Sequence, residues 1–225
     1  MENKQTLWIF GDSFSTPFSN KTLGQWDTEY CNWKGYIPKH FGDIIGNELG
    51  VEVKHYGIGG VGNDTIFETI LKQVPNIRKG DMVIIGWSNV RRIRLVDSDG
   101  KFKTIVPNFI DDALKWFDNI SKSTIEEIVV NRTHHLYKGE LYTKVEFLNF
   151  LFKDMKLIQW TPFIWDGIRI LGFKHINTIL METNGEVIDG HYSELGHIEV
   201  SKKFIDILND DKLRNDSNRL YNPVI

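Results

Sequence analysis

Ser13, Asp189 and His191 are the side chains whose types and chain order suit a joint reaction. A serine hydroxyl is a very weak acid. At neutral pH it attacks a carbonyl only if a nearby imidazole takes its proton. A third group, often a carboxylate, then fixes the tautomer and orientation of that imidazole. Ser13 stands in Gly11-Asp12-Ser13, directly after the apolar run Leu7-Trp8-Ile9-Phe10, and His191 stands in Asp189-Gly190-His191, just before the last helical pattern. Ser…Asp…His is one known chain order of a hydrolytic triad. Each residue also has a plainer reading, Ser13 as the cap of a following helical turn and His191 as part of a surface loop.

Acyl transfer also needs N–H donors aimed at the oxygen that becomes negative. Residues 55–64 read His-Tyr-Gly-Ile-Gly-Gly-Val-Gly-Asn-Asp, a glycine-rich turn between a strand pattern and a helix pattern. Such a turn exposes backbone N–H groups and lets a substrate approach closely. Gly57, Gly59 and Gly62 also satisfy Gly-x-Gly-x-x-Gly, the phosphate-cradling pattern. Against a dinucleotide site, the turn follows the second strand rather than the first, and Asp81 precedes the third strand instead of ending it. A third block, Gly86-Trp87-Ser88-Asn89, places a side-chain donor at the end of the third strand pattern.

Taken together these blocks resemble the SGNH/GDSL hydrolases, whose four motifs contribute Ser, Gly, Asn and His in that order. The resemblance assigns Ser13 as nucleophile, with Phe14 where leucine is usual, Gly60 as an oxyanion donor and His191 as the base; Ser193, Gly196 and His197 match the residues that commonly follow that histidine. It implies an oxyanion hole of the Ser13 and Gly60 N–H groups with Asn89, or with Ser88, because the asparagine stands one place later than usual. It also implies Asp189 as orienting acid, one residue closer to the histidine than in the family; that short spacing leaves a backbone carbonyl or another acid, Glu186, as the alternative. The match covers the chain ends and the first three strands but not residues 95–155.

These residues need a sheet edge to share. Strand patterns fall at residues 7–10, 51–56, 82–87, 157–160 and 176–181, the second being the least apolar. Between them, Phe41, Ile44, Ile45 and Leu49 recur at helical spacing before Gly50. A second helix is expected over 64–74 with Ile66, Phe67, Ile70 and Leu71 inward. A last helix begins near Ser193 and carries Leu195, Ile198, Phe204, Ile205 and Leu208, with a polar tail from about residue 209. The alternation predicts an α/β fold, a three-layer α/β/α sandwich on a parallel, doubly wound, flavodoxin-like sheet of about five strands. Residues 95–155 are too long for one connection. Helical patterns at 113–120 and 145–155 read as a helical insertion within one domain spanning 1–225.

Composition bounds the rest. The chain is 41% hydrophobic and 25% charged, as in globular proteins. A formal charge of −3 and a pI near 6.2 disfavour nucleic acid as partner. One cysteine, Cys31, excludes an internal disulfide and a thiolate metal cluster. The N-terminal residues lack the signal-peptide pattern and no apolar run suits a bilayer span, so a cytoplasmic location without membrane contact is expected. His134, His135, His191 and His197 lack metalloprotease spacing, and no metal or organic cofactor is expected. Trp26 and Trp33, with Tyr30 and Tyr36, form either an aromatic platform for a sugar or acyl group or simple sheet cover. Arg91, with Arg92 and Arg94, forms either an anion grip or a solvated charge run. The expected activity is a serine esterase acting on a small-molecule or carbohydrate ester. An acyltransferase with the same residues and an inactive binding or virion-type structural module are the alternatives.

Overall fold

The computed structural model describes residues 5–18, 32, 35–107, 110–117, 120–131, 134–162, 171–172, 181–183, 186–189, 191–192 and 194–211. Strand β1 (Thr6–Gly11) is buried along its whole length. Its neighbours are β2 (Glu52–Gly57) and β3 (Met82–Gly86), both parallel to it. Strand β6 (Lys156–Thr161) pairs with β3, and the two-residue β7 (Leu171–Gly172) closes the sheet. The order β2-β1-β3-β6-β7 is the doubly wound 2-1-3-4-5 order, with its switch point between β1 and β3. The parallel, doubly wound sheet expected from sequence is present. β2 is an edge strand with half-exposed residues, which explains its low apolar content.

Successive strand side chains go to opposite faces, so β1 serves two cores. Trp8 and Phe10 join Val83 and Ile85 beneath α2 (Asn63–Gln73), α4 (Lys122–Asn131) and α5 (His134–Leu151). Leu7 and Ile9 join Met82, Ile84 and Ile158 beneath α1 (Phe41–Leu49) and α6 (Glu194–Asn209). Each such fully buried aliphatic side chain contributes about 1.5–3 kcal/mol through removal from water. His40 caps α1 through its ring, and Gly50 ends it at φ 66°, a left-handed conformation that glycine adopts without strain.

The structure bears on four expectations. Residues 95–155 are not a purely helical insertion. An antiparallel hairpin, β4 (Ile93–Val96) with β5 (Phe102–Ile105), leads into it, and the short α3 (Ile110–Ala113) follows. The pattern at 145–155 begins as the rear of α5, which ends at Leu151; its Leu141, Val145 and Leu148 cover the sheet as its outer layer. Among the described residues the fifth strand of the sheet is Leu171–Gly172; of the strand expected at 176–181 only Met181 is described. Residues 176–180 fall outside the described residues, and Met181 opens β8 (Met181–Thr183), antiparallel to β9 (Glu186–Asp189). Leu71 and Leu195 are exposed by 39% and 60%, because each sits one residue off the buried stripe of its helix. No helix among the described residues is long and apolar enough to cross a membrane.

Candidate active site

Three strands end in glycine at one register: Gly11 pairs with Gly57 on one side and Gly86 on the other. A Cβ on Gly57 would lie 2.3 Å from the Ser15 carbonyl oxygen; on Gly86 it would lie 2.5 Å from Ser15 Oγ. This row of bare Cα atoms lets the 3₁₀ turn Ser13–Ser15 settle onto the carboxyl edge of the sheet. Ser15 becomes the buried foot of the turn, and Ser13 remains half-buried at its head. Ile58 N–H donates to the Gly11 carbonyl at 3.0 Å and joins the glycine turn to the same edge.

Asp12 is the buried anchor of the turn. Its carboxylate accepts from Phe14 N–H at 3.1 Å and pairs with Arg92 at 3.2 Å. Burial pushes this carboxyl up from the ordinary range, while the Arg92 guanidinium opposes the shift. His191 stands close enough for its charge to act on Asp12 in the same sense as Arg92. Its ring lies 4.7 Å from that of Phe14, and Tyr192 meets Phe14 edge-on at 5.2 Å. Thus the late histidine is packed against the residue that follows Ser13.

The remaining sequence candidates divide. Gly60 is exposed at φ 77°, and a Cβ there would meet open space, so conformation rather than crowding calls for glycine. Ser88 is fully buried. Its backbone N–H and carbonyl are both taken by the Asn63 side chain, at 2.8 and 3.1 Å. Its Oγ faces Asp12 without reaching hydrogen-bond geometry. Asn89 is half-buried, its Oδ1 accepting from Arg91 N–H at 2.9 Å, and the donors of its amide are on Nδ2. Arg91 is exposed. Asp189 ends β9, opposite Met181. Trp26 and Trp33 lie outside the described residues.

Several residues at this edge escaped the sequence reading. His40 is fully buried. Gly42 N–H donates to its Nδ1 at 3.1 Å, so the proton is on Nε2, which donates to the Phe14 carbonyl at 3.3 Å. Its ring packs 5.0 Å from both His55 and His197. Asn63 and Arg92 link the blocks but sit in stretches whose composition only suggests a helix start and a charge run. The repeated strand-terminal glycine was the available signal.

No protein family model matches the chain, and no curated protein does. Among solved structures, it is similar to a proposed lipolytic protein of the G-D-S-L family from Desulfitobacterium hafniense DCB-2. Identity is 12% over 91% of this chain and 99% of that one, with a TM-score of 0.37. A lipase/acylhydrolase from Enterococcus faecalis is similar at 13% identity over 91% of this chain and 73% of that one, with a TM-score of 0.28. These values bear on neither activity nor substrate. The strand order is the flavodoxin-like 2-1-3-4-5 order, with the Gly-Asp-Ser turn at the carboxyl end of β1.

Proposed function

We propose that this protein is a serine ester hydrolase. The observation that carries the reading is the packing of His191 against Phe14, beside Ser13, at the carboxyl edge of the sheet. Ser13 Oγ attacks the ester carbonyl carbon as His191 accepts its proton. The oxyanion is held by the backbone N–H groups of Ser13 and Gly60 and by Asn89 Nδ2. Burial of Ser88 supports Asn89 over Ser88 in that role. The tetrahedral intermediate collapses, and His191 returns the proton to the departing alcohol. Water, deprotonated by His191, then attacks the acyl-serine and releases the acid.

Asp189 orients the imidazole from the end of β9, with Glu186 of the same strand as the substitute. Phe14, in the place where leucine is usual, supplies an aromatic wall against which the imidazole rests. The substrate we propose is an O-acyl or O-acetyl carbohydrate, gripped by Trp26 and Trp33 with Arg91 at the rim. The test is incubation with a fluorophosphonate ester and mass mapping of the label. Label on Ser13, lost in Ser13→Ala, is expected. A protein that takes no label and hydrolyses no activated ester is a binding module on this fold.

A further inference from the structure

Three separate loops must hold their donors around one reacting carbonyl: the turn after β1, the glycine turn after β2 and the loop after β3. Positional errors of about 1 Å at such a site can cost on the order of 10²-fold in rate. One residue joins all three, through its backbone to its own loop and through its side chain to the other two. Arg92 follows β3, and its backbone N–H donates to the Asn89 carbonyl at 3.0 Å. From there a single guanidinium nitrogen, Nη1, reaches Asp12 Oδ2 at 3.2 Å and the Val61 carbonyl at 3.1 Å. The contact is shielded mainly on the carboxylate side, with Arg92 14% and Asp12 1% exposed. The backbone packs equally tightly: a Cβ on Gly62 would lie 2.9 Å from the Arg92 carbonyl oxygen.

We propose that Arg92 is a positioning residue that clamps the Ser13 turn to the Gly60 turn and so sets the distance between nucleophile and oxyanion donor. The proposal rests on the hydrolase reading above. It differs from a solvated charge run, because the Arg92 side chain is mostly shielded from water, and from an anion grip, because both Nη1 contacts are with the protein itself. Two acceptors on two loops share one cationic nitrogen. A lysine ammonium keeps that charge and its donors without the planar fork. A methionine keeps only the stem.

The test uses a neutral and an anionic activated ester of the same acyl group, with fluorophosphonate labelling of the wild type as control. Arg92→Met should lower kcat on both esters by roughly 10²-fold with KM within about twofold, and Arg92→Lys should restore at least about tenfold of that loss. A rise in KM confined to the anionic ester would make Arg92 a substrate grip and overturn the clamp. So would unchanged kcat in a folded but less heat-resistant variant.

A buried lone carboxylate can prevent folding. For that case Asp12→Asn with Arg92→Met removes both charges, and it should show the same kcat deficit. Amide exchange judges the clamp even in a protein that hydrolyses nothing. Exchange at Phe14 and Ile58 in Arg92→Met should accelerate by at least about tenfold, while Ile84 in β3 keeps its protection. Unchanged exchange at Phe14 and Ile58 overturns the clamp. An unlabelled wild type overturns only the hydrolase reading.

Discussion

Two buried aspartates stand at opposite edges of the same sheet, and their surroundings differ. Asp81, 5% exposed at the amino edge, accepts from Thr6 N–H at 3.0 Å, Trp8 Nε1–H at 2.9 Å and Arg78 N–H at 3.0 Å. Those bonds tie the start of β1 to the turn before β3 and leave the carboxylate well provided. Asp12, at the carboxyl edge, has one backbone donor and one guanidinium, and burial disfavours its charge. Around it Ser15 Oγ and Ser88 Oγ are buried without partners. A saturated carboxylate is what stability alone asks for. Under-provided polar groups collect where a structure serves something besides stability.

The largest expected effect separates the two edges outright. Ser13→Ala and His191→Ala should each reduce turnover of an activated ester by at least about 10⁴-fold with the fold intact. Asp81→Ala should leave kcat/KM of the folded protein unchanged, yet cost roughly 1–3 kcal/mol in urea unfolding by leaving Thr6 N–H and the Trp8 indole unsatisfied. If Asp81→Ala lost turnover as Ser13→Ala does, the division between the edges would be wrong.

Next in size is the orienting acid. If Asp189 holds the His191 N–H, Asp189→Asn keeps the fold and permits the wrong tautomer, for a loss approaching ~10⁴-fold. If Glu186 or a backbone carbonyl does so, Asp189→Asn costs little while His191→Ala still abolishes turnover. Assaying both variants on one ester distinguishes these outcomes. At the third strand end, Asn89→Ala should lower kcat by about 10²–10³-fold. Ser88→Ala removes a buried hydroxyl that lacks a partner and should leave kcat near wild type. The opposite ranking would transfer the oxyanion role to Ser88.

Legibility in the sequence followed the same division. The amino edge and the central strands were readable because burial on both faces writes itself as unbroken apolar runs, as in Met82 to Gly86. The hairpin β4–β5 was not, because Arg94, Lys103 and Thr104 make it polar and it lies apart from the main sheet. Ser13 and His191 were legible as residue types flanking strand and helix patterns. The residues that brace this edge were not, since Arg92 and His40 are held by contacts that cross long stretches of chain. Arg92 carried a charge that composition assigns to solvent, and His40 belongs to none of the sequence blocks. The strand-terminal glycines stand in the sequence, but the alignment of Gly11, Gly57 and Gly86 in one row depends on strand register.

The carboxyl edge also carries the smallest predicted effect, one of pH. Burial and the neighbouring His191 pull His197 down to about 3, with Asp43 opposing; burial, His197 and His55 hold His40 well below the imidazole range, opposed by its bond to Phe14. Both are therefore neutral in the fold, whereas in the unfolded chain they take up protons below about pH 6.5. The unfolded state then binds more protons, so stability is fully present above about 6.5 and falls as the pH drops toward 3. His197 contributes a slope of about 1.4 kcal/mol per pH unit over that range, and His40 adds to it in the same sense. Asp12, raised by burial, works in the opposite sense at the acid end, because its native carboxyl protonates before its unfolded one. Phe41 N–H donates to His197 Nδ1 at 3.4 Å, and His197→Gln retains an acceptor without a titrating group. Urea unfolding at pH 7.5, 6.0 and 5.0 should show the variant losing stability less steeply than wild type, by about one proton's slope. Parallel pH dependences in the two proteins would mean that His197 titrates in the folded state as it does in the unfolded one.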